Sequence, residues 1–377
     1  MSGFEQVRAL VDAHVAEGRY PGAVAAVRHA GRTEVHAAGT LAVGSGEPVR
    51  TDTPFRVASL TKPFGGVLTL GLVADGVLDL AEDVTRWLPE LAGLRVIADP
   101  AGPLADTMPV TAPVTVADLL HMTAGFGLRM DASPLAHEMW AQGVSPGPLP
   151  PQLEPGEWLT RLGRLPLAAQ PGQGWQYHTG SDVLGVLLAR ATGRSVGELL
   201  AERVTGPLGL TGTGFWSPET DRLPTQYAPG DDGLQVLDPP DGVWSRPPVF
   251  ESLGGGLLST AGDVLTLLAA LADGGAPGLD PTVAAEVTRD RLTDGQRAAA
   301  QDFLGPGRSW GGNLEVTLQV TDPWTTPGRF GWTGGTGTSG YADPDIDLVA
   351  VLLTQRMMTG PTDGPEAFWT AARDAVS

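Results

Sequence analysis

Cysteine is absent from this 377-residue chain, which excludes disulfides, thiolate metal sites and a cysteine nucleophile. Positive charge is scarce. With 24 Lys+Arg against 43 Asp+Glu, the net charge is −19, which argues against nucleic acid or an anionic membrane as a partner. No apolar run approaches the ~18 residues of a membrane span. The opening "MSGFEQVRALVDAHVAEG" lacks the basic and apolar regions of a signal peptide, so a cytoplasmic location is expected. It reads instead as an amphipathic helix with Phe4, Val7, Leu10, Val11 and Val15 on one stripe. There is no internal repeat and no long low-complexity tract. Hydrophobic content of 42% is ample for a packed core, and the length suits one large domain or two.

Lysine is the rarest charged residue. Lys62 is the only one, and every other member of the Lys+Arg set is arginine. A cation needed for solvation or ion pairing can usually be arginine. A cation that must give up its proton cannot, because a guanidinium stays charged whereas burial can neutralise an ammonium. Composition alone leaves open a proton-transfer group or a chance survivor on the surface. The local sequence "RVASLTKPF" places Lys62 three residues after Ser59. On a helix, positions i and i+3 share a face. The Ser59 hydroxyl would lie near a potential base, at a helix start that favours developing negative charge.

Periodicity suggests strands at both ends of the chain and helices between. "GAVAAVRHAGRTEVHAAGT" reads as a hairpin turning at Ala30-Gly31. "SLTKPFGGVLTLGLVADG", "TVADLLHMT", "GSDVLGVLLARATG" and "TAGDVLTLLAALADGG" read as helices, and Gly76 would end the first. The region from Pro134 to Pro171 reads as loops with a helix near Pro155–Leu165. "RSWGGNLEVTLQV", "RFGWTGG", "TSGYADP" and "IDLVAVLLTQR" read as strands, and "GPEAFWTAARDAV" as a closing helix. A single sheet would need the N-terminal hairpin to pair with the C-terminal strands. The expected organisation is therefore a discontinuous α/β lobe of residues 1–75 and 245–377, with a mainly helical lobe of residues 76–244 inserted.

Further motifs follow Ser59-x-x-Lys62 in order. These are "LLHMTAGFG", Tyr177 in "GWQYHTGSDVLG", "ESLGGGLLSTAGDVL" and Trp332-Thr333-Gly334-Gly335 in "GWTGGTGTSGYADP". Together they resemble the serine β-lactamase and penicillin-binding-protein superfamily over nearly the whole chain, from about Tyr20 onward. Within it the chain is similar to class C β-lactamases, D-alanyl-D-alanine carboxypeptidases and above all the family VIII carboxylesterases. The resemblance implies an α/β fold in which an antiparallel sheet, flanked by the terminal helices, carries an inserted helical lobe. It implies Ser59 as nucleophile, Lys62 as the group that activates it and Tyr177 as a proton shuttle. It also implies an oxyanion hole from the N–H groups of Ser59 and Gly335. No cofactor or metal is implied.

Two positions depart from that pattern. Trp332 stands where a lysine or histidine would recognise a substrate carboxylate, and Thr179 stands where an asparagine would bind a substrate amide. Both favour a neutral ester over a β-lactam or a D-alanine peptide. Trp332, Thr179, His178, Phe126 and Trp244 are expected near the substrate, with His178 in a rim or supporting role. The alternatives are a β-lactamase or D-amino-acid peptidase or amidase, and a catalytically weak binding member of the same fold.

Three other signals compete. "GRSVG" matches the G-x-S-x-G pattern, but a helix precedes it where the pattern needs a strand, and Ser195 with Glu198 reads as a capping box. "DPDID" reads as a turn rather than a calcium loop. His14, His29, His36, His121 and His137 form no metal-ligand pattern.

Overall fold

The computed structural model describes residues 3–360 and 363–376. Strands β1 (Gly22–His29) and β2 (Arg32–Gly39) form the expected hairpin. Its two turn residues both have positive φ, 48° at Ala30 and 72° at Gly31. This is the twist that suits a two-residue connection. Strands β3 (Arg308–Trp310), β4 (Glu315–Thr317), β5 (Phe330–Gly334), β6 (Thr338–Asp343) and β7 (Leu348–Thr354) come from the last third. They join in one antiparallel sheet of order β2-β1-β7-β6-β5-β4-β3. The first and last strands of the chain pair directly, Val24 opposite Leu353.

Both faces of this sheet are covered, so β1 and β7 are apolar at nearly every position instead of alternating. Ala23, Ala25, Ala350 and Leu352 face helices α1 (Gly3–Ala16) and α6 (Glu366–Asp374). Val24, Ala26, Val349 and Val351 face the main core, reached through α4 (Ala261–Ala272). Phe4, Val7 and Val11 of the N-terminal stripe are buried there as their spacing demands.

The remaining helices build the other side of the core. The buried α2 (Thr61–Ala74) follows a single 3₁₀ turn at Ala58–Leu60. Helix α3 (Thr179–Thr192) ends on Gly193 in the left-handed conformation. Ser195 then caps the next short helix in a capping box with Glu198, so the G-x-S-x-G serine closes a helix start. Helix α5 (Asp294–Leu304) has no counterpart in the sequence reading. The region read as loops holds two helices, Pro134–Ala141 as well as Pro155–Gly163. The first had a legible signal, since Ser133 caps it and Pro134 takes its first position. The "DPDID" segment is a 3₁₀ turn joining β6 to β7. Among the described residues, no helix is long and apolar enough to cross a membrane.

Candidate active site

Ser59 sits in the 3₁₀ turn ahead of α2, and two sets of contacts fix that turn. Behind it, Arg56 is 1% exposed and donates from Nε to Asp238 Oδ2 at 2.8 Å and from Nη2 to the Pro239 carbonyl at 2.9 Å. In front, the hydroxyls of Thr336 and Thr338 donate to the carbonyls of Arg56 and Val57 at 2.6 and 2.9 Å. The turn is thereby tied to the connection between β5 and β6. Gly334 is required there, because a Cβ would lie 2.4 Å from the Val57 oxygen and 3.3 Å from the Ser59 nitrogen. Ala58, just before the serine, has φ 44°, a left-handed conformation that costs a non-glycine residue about 1 kcal/mol or more.

One turn along, Lys62 is fully buried and its Nζ lies 3.1 Å from Ser59 Oγ. Nζ also donates to the Gly254 carbonyl at 2.5 Å and stands 3.4 Å from His178 Nδ1. Burial lowers the Lys62 pKa to about 7, with the Asp182 carboxylate opposing the shift. At neutral pH much of this lysine is therefore an amine that can accept the serine proton.

Tyr177 closes the other side. Lys62 Nζ lies 4.5 Å from the centre of its ring, over the face. The Tyr177 hydroxyl is hydrogen-bonded to Ser59 and accepts the indole N–H of Trp332 at 2.6 Å. Burial pushes the Tyr177 pKa well up, against those two hydrogen bonds, so the resting group is a phenol. Trp332 thus donates to Tyr177, the Tyr177 hydroxyl meets Ser59, and Ser59 Oγ lies within hydrogen-bond distance of Lys62 Nζ.

His178 and Asp182 lie behind the lysine. His178 has φ 81° and ψ −66°, and the Thr179 N–H reaches back to the Tyr177 carbonyl at 3.2 Å. That is a γ-turn of the rare, strained hand. His178 Nε2 lies 3.3 Å from Asp182 Oδ2. Asp182 Oδ1 accepts from Ser252 Oγ at 2.6 Å and from the Gly254 N–H at 2.9 Å. Burial alone would raise the Asp182 pKa. The hydrogen bonds from His178, Ser252 and Gly254 outweigh it, and the carboxyl is held below its usual range. Burial and the neighbouring Lys62 lower the His178 pKa, so its imidazole stays neutral.

Ser59, Tyr177, Trp332 and Gly335 line one cavity of about 400 Å³. Its apolar lining includes Leu128, Met130 and Phe303. Phe303, from the unforeseen α5, packs on Tyr177 with ring centres 4.5 Å apart. Arg308, Glu315 and Arg329 also line it. Beyond Gly331 strand β5 has no partner on its β4 side, so its open edge faces this space.

The other residues expected near the substrate stand elsewhere. His178 does not line the cavity and stands behind Lys62 instead. Thr179 is fully buried at the start of α3, its hydroxyl without a partner. Phe126 lines a small separate recess with Leu135 and Met139. Trp244 packs with Leu223 and Leu258 under Arg56, and its N–H donates to the Gly256 carbonyl at 2.7 Å. Neither ring lines the cavity that holds Ser59. Asp182 was not anticipated as a site residue; its signal was its position one helical turn after His178. The run Gly254-Gly255-Gly256 reads from the sequence as glycines that permit close backbone approach near the cleft, and the Gly254 carbonyl meets Lys62 there. Among the described residues, no group of three or more His, Asp or Glu is placed to hold a metal ion.

Comparison with known proteins identifies the family. The family model described as Beta-lactamase matches residues 7–374. The chain is 35% identical to Esterase EstB of Burkholderia gladioli, covering 98% of this chain and 93% of that protein. It is 28% identical to the lovastatin esterase of Penicillium rubens over 86% of this chain and 84% of that one. A solved structure of EstCE1, described as a hydrolase with promiscuous acyltransferase activity, superposes with a TM-score of 0.85 at 26% identity, covering 100% of this chain and 98% of the other. With the family model matched over nearly its whole length and a relative 35% identical to it, the chain belongs to the beta-lactamase family.

Proposed function

We propose that the protein hydrolyses carboxylic esters of small neutral molecules through a Ser59 acyl-enzyme, without a cofactor. The observation that carries this reading is the hydrogen-bonded series Trp332–Tyr177–Ser59–Lys62 opening on an apolar cavity. Ser59 attacks the ester carbonyl and its proton passes to the Lys62 amine. The oxyanion sits between the N–H groups of Ser59 and Gly335, and losing one such donor typically costs ~3 kcal/mol. As the tetrahedral intermediate collapses, Tyr177 gives its proton to the departing alkoxide. Lys62 is then an ammonium and Tyr177 a phenolate, held by the Trp332 N–H. In the second half a water attacks the acyl-enzyme and gives its proton to the Tyr177 phenolate. The released Ser59 oxygen takes its proton back from Lys62. Both groups return to their starting states.

Trp332 supports ester over β-lactam as substrate. Its indole N–H is committed to Tyr177, so it offers neither a cation nor a free donor to a carboxylate. The relatives named as esterases point the same way. A fluorophosphonate probe should label Ser59, and short-chain p-nitrophenyl esters should turn over with kcat/KM well above that for nitrocefin. A preference for nitrocefin would identify a β-lactamase instead. Failure of Ser59 to label would leave a binding protein.

A further inference from the structure

We propose that His178 and Asp182 act as a positioning pair that aims the lone pair of Lys62 at Ser59. The inference rests on the Ser59–Lys62 mechanism proposed above and concerns what a neutral lysine must do to be a base. An amine nitrogen carries two hydrogens and one lone pair, and it rotates freely about its last bond. Only one of three staggered settings points the lone pair at the serine. The surroundings of Nζ select that setting. The Gly254 carbonyl, at 2.5 Å, can only accept, so it takes one hydrogen. His178 Nδ1, at 3.4 Å, takes the second, provided that Nδ1 bears the imidazole lone pair.

Asp182 supplies that condition. Its ionised carboxylate can only accept, and Oδ2 stands 3.3 Å from Nε2, so the imidazole hydrogen resides on Nε2 and Nδ1 is left as acceptor. The carboxylate is itself anchored by Ser252 and by the Gly254 N–H. Gly254 therefore holds both ends: its N–H fixes Asp182 and its carbonyl fixes Lys62. No side chain fits at that position, because a Cβ would lie 2.6 Å from His178 Nε2 and 2.9 Å from each carboxylate oxygen. With both amine hydrogens occupied, the remaining tetrahedral position of Nζ is the one facing Ser59 Oγ at 3.1 Å. The strained γ-turn places the imidazole there. The charged or titratable groups around Nζ are Asp182 and His178 on the α3 side and the face of Tyr177. The 252–256 loop contributes only a neutral hydroxyl and peptide groups.

The pair can be separated by side-chain length. In His178→Asn the amide oxygen stands where Nδ1 stood, and asparagine tolerates positive φ. It restores the acceptor for Lys62 without reaching Asp182. In His178→Gln the polar end extends toward Asp182 and leaves Lys62 without its acceptor. Expected for a short-chain alkyl ester is kcat within about threefold of wild type for His178→Asn. For His178→Gln and His178→Ala, kcat should fall about 10- to 100-fold with KM little changed. Asp182→Asn removes the charge that raises the Lys62 pKa. Its acid limb of kcat/KM should move to lower pH while the plateau falls about tenfold. Circular dichroism and Tm confirm that each variant is folded. Should Asp182→Asn not fold, the Asn and Gln substitutions at 178 decide by themselves. Equal activity in those two variants, or losses confined to KM, would overturn the positioning role while leaving the esterase reading intact. Failure of wild-type Ser59 to take the fluorophosphonate label would overturn both.

Discussion

Trp332→Phe isolates one proton. The substitution keeps an aromatic ring in the cavity wall and deletes the N–H that Tyr177 accepts at 2.6 Å. In the free enzyme that bond joins two neutral groups and contributes about 1 kcal/mol. As Tyr177 gives its proton to a leaving alkoxide, its oxygen gains negative charge, and a hydrogen bond to a charged group is worth about 1.5–3 kcal/mol. The loss specific to the transition state is therefore roughly 0.5–2 kcal/mol, or about 2- to 30-fold in kcat/KM. It applies only where the leaving group needs a proton. An ethyl ester expels a strongly basic alkoxide and should show the full loss. A p-nitrophenyl ester of the same acid expels a stable phenolate and should change only as far as the smaller ring disturbs binding, a term both substrates share. The measurement is the ratio of the two kcat/KM values, wild type beside variant. An unchanged ratio would refute Tyr177 as the general acid and Trp332 as its support.

Three other outcomes follow from the same contacts. Ser59→Ala should abolish turnover, whereas Ser195→Ala removes only a helix cap worth about 1 kcal/mol and should leave activity within tenfold, as a p-nitrophenyl butyrate assay would show. Lys62→Met should be inactive yet melt higher than wild type at pH 7. The Lys62 pKa is lowered on folding, so below about pH 7 the lysine is charged in both states and its burial destabilises fully. That cost diminishes as pH rises from about 7 toward the ordinary lysine value. The gain in Tm should thus shrink by pH 10, and a gain that grows with pH would contradict the buried-lysine assignment. Asp238→Ala strands the buried Arg56 charge and should cost about 3–5 kcal/mol in a urea melt, with activity falling because the Ser59 turn loses its anchor.

Much of this protein is legible in short segments. The serine and its lysine are three residues apart, and helical geometry brings them together whatever surrounds them. The hairpin turn at Ala30-Gly31, the capping box at Ser195 and the apolar stripe of α1 are likewise written within a few residues, because the forces that set them act over one turn or one strand. The two departures at Thr179 and Trp332 are visible in the motifs themselves. What those residues do was decided by packing. Trp332 meets Tyr177 across 155 positions, and the Gly254 carbonyl meets Lys62 across 192. No local pattern distinguishes Phe303, which lines the cavity, from Phe126 and Trp244, which do not. His178 beside Tyr177 suggested a place near the substrate, yet a single strained turn sends its imidazole behind the lysine. The lowered pKa of Lys62 is a property of enclosure, because desolvation requires walls on every side, and those walls come from segments far apart in the chain.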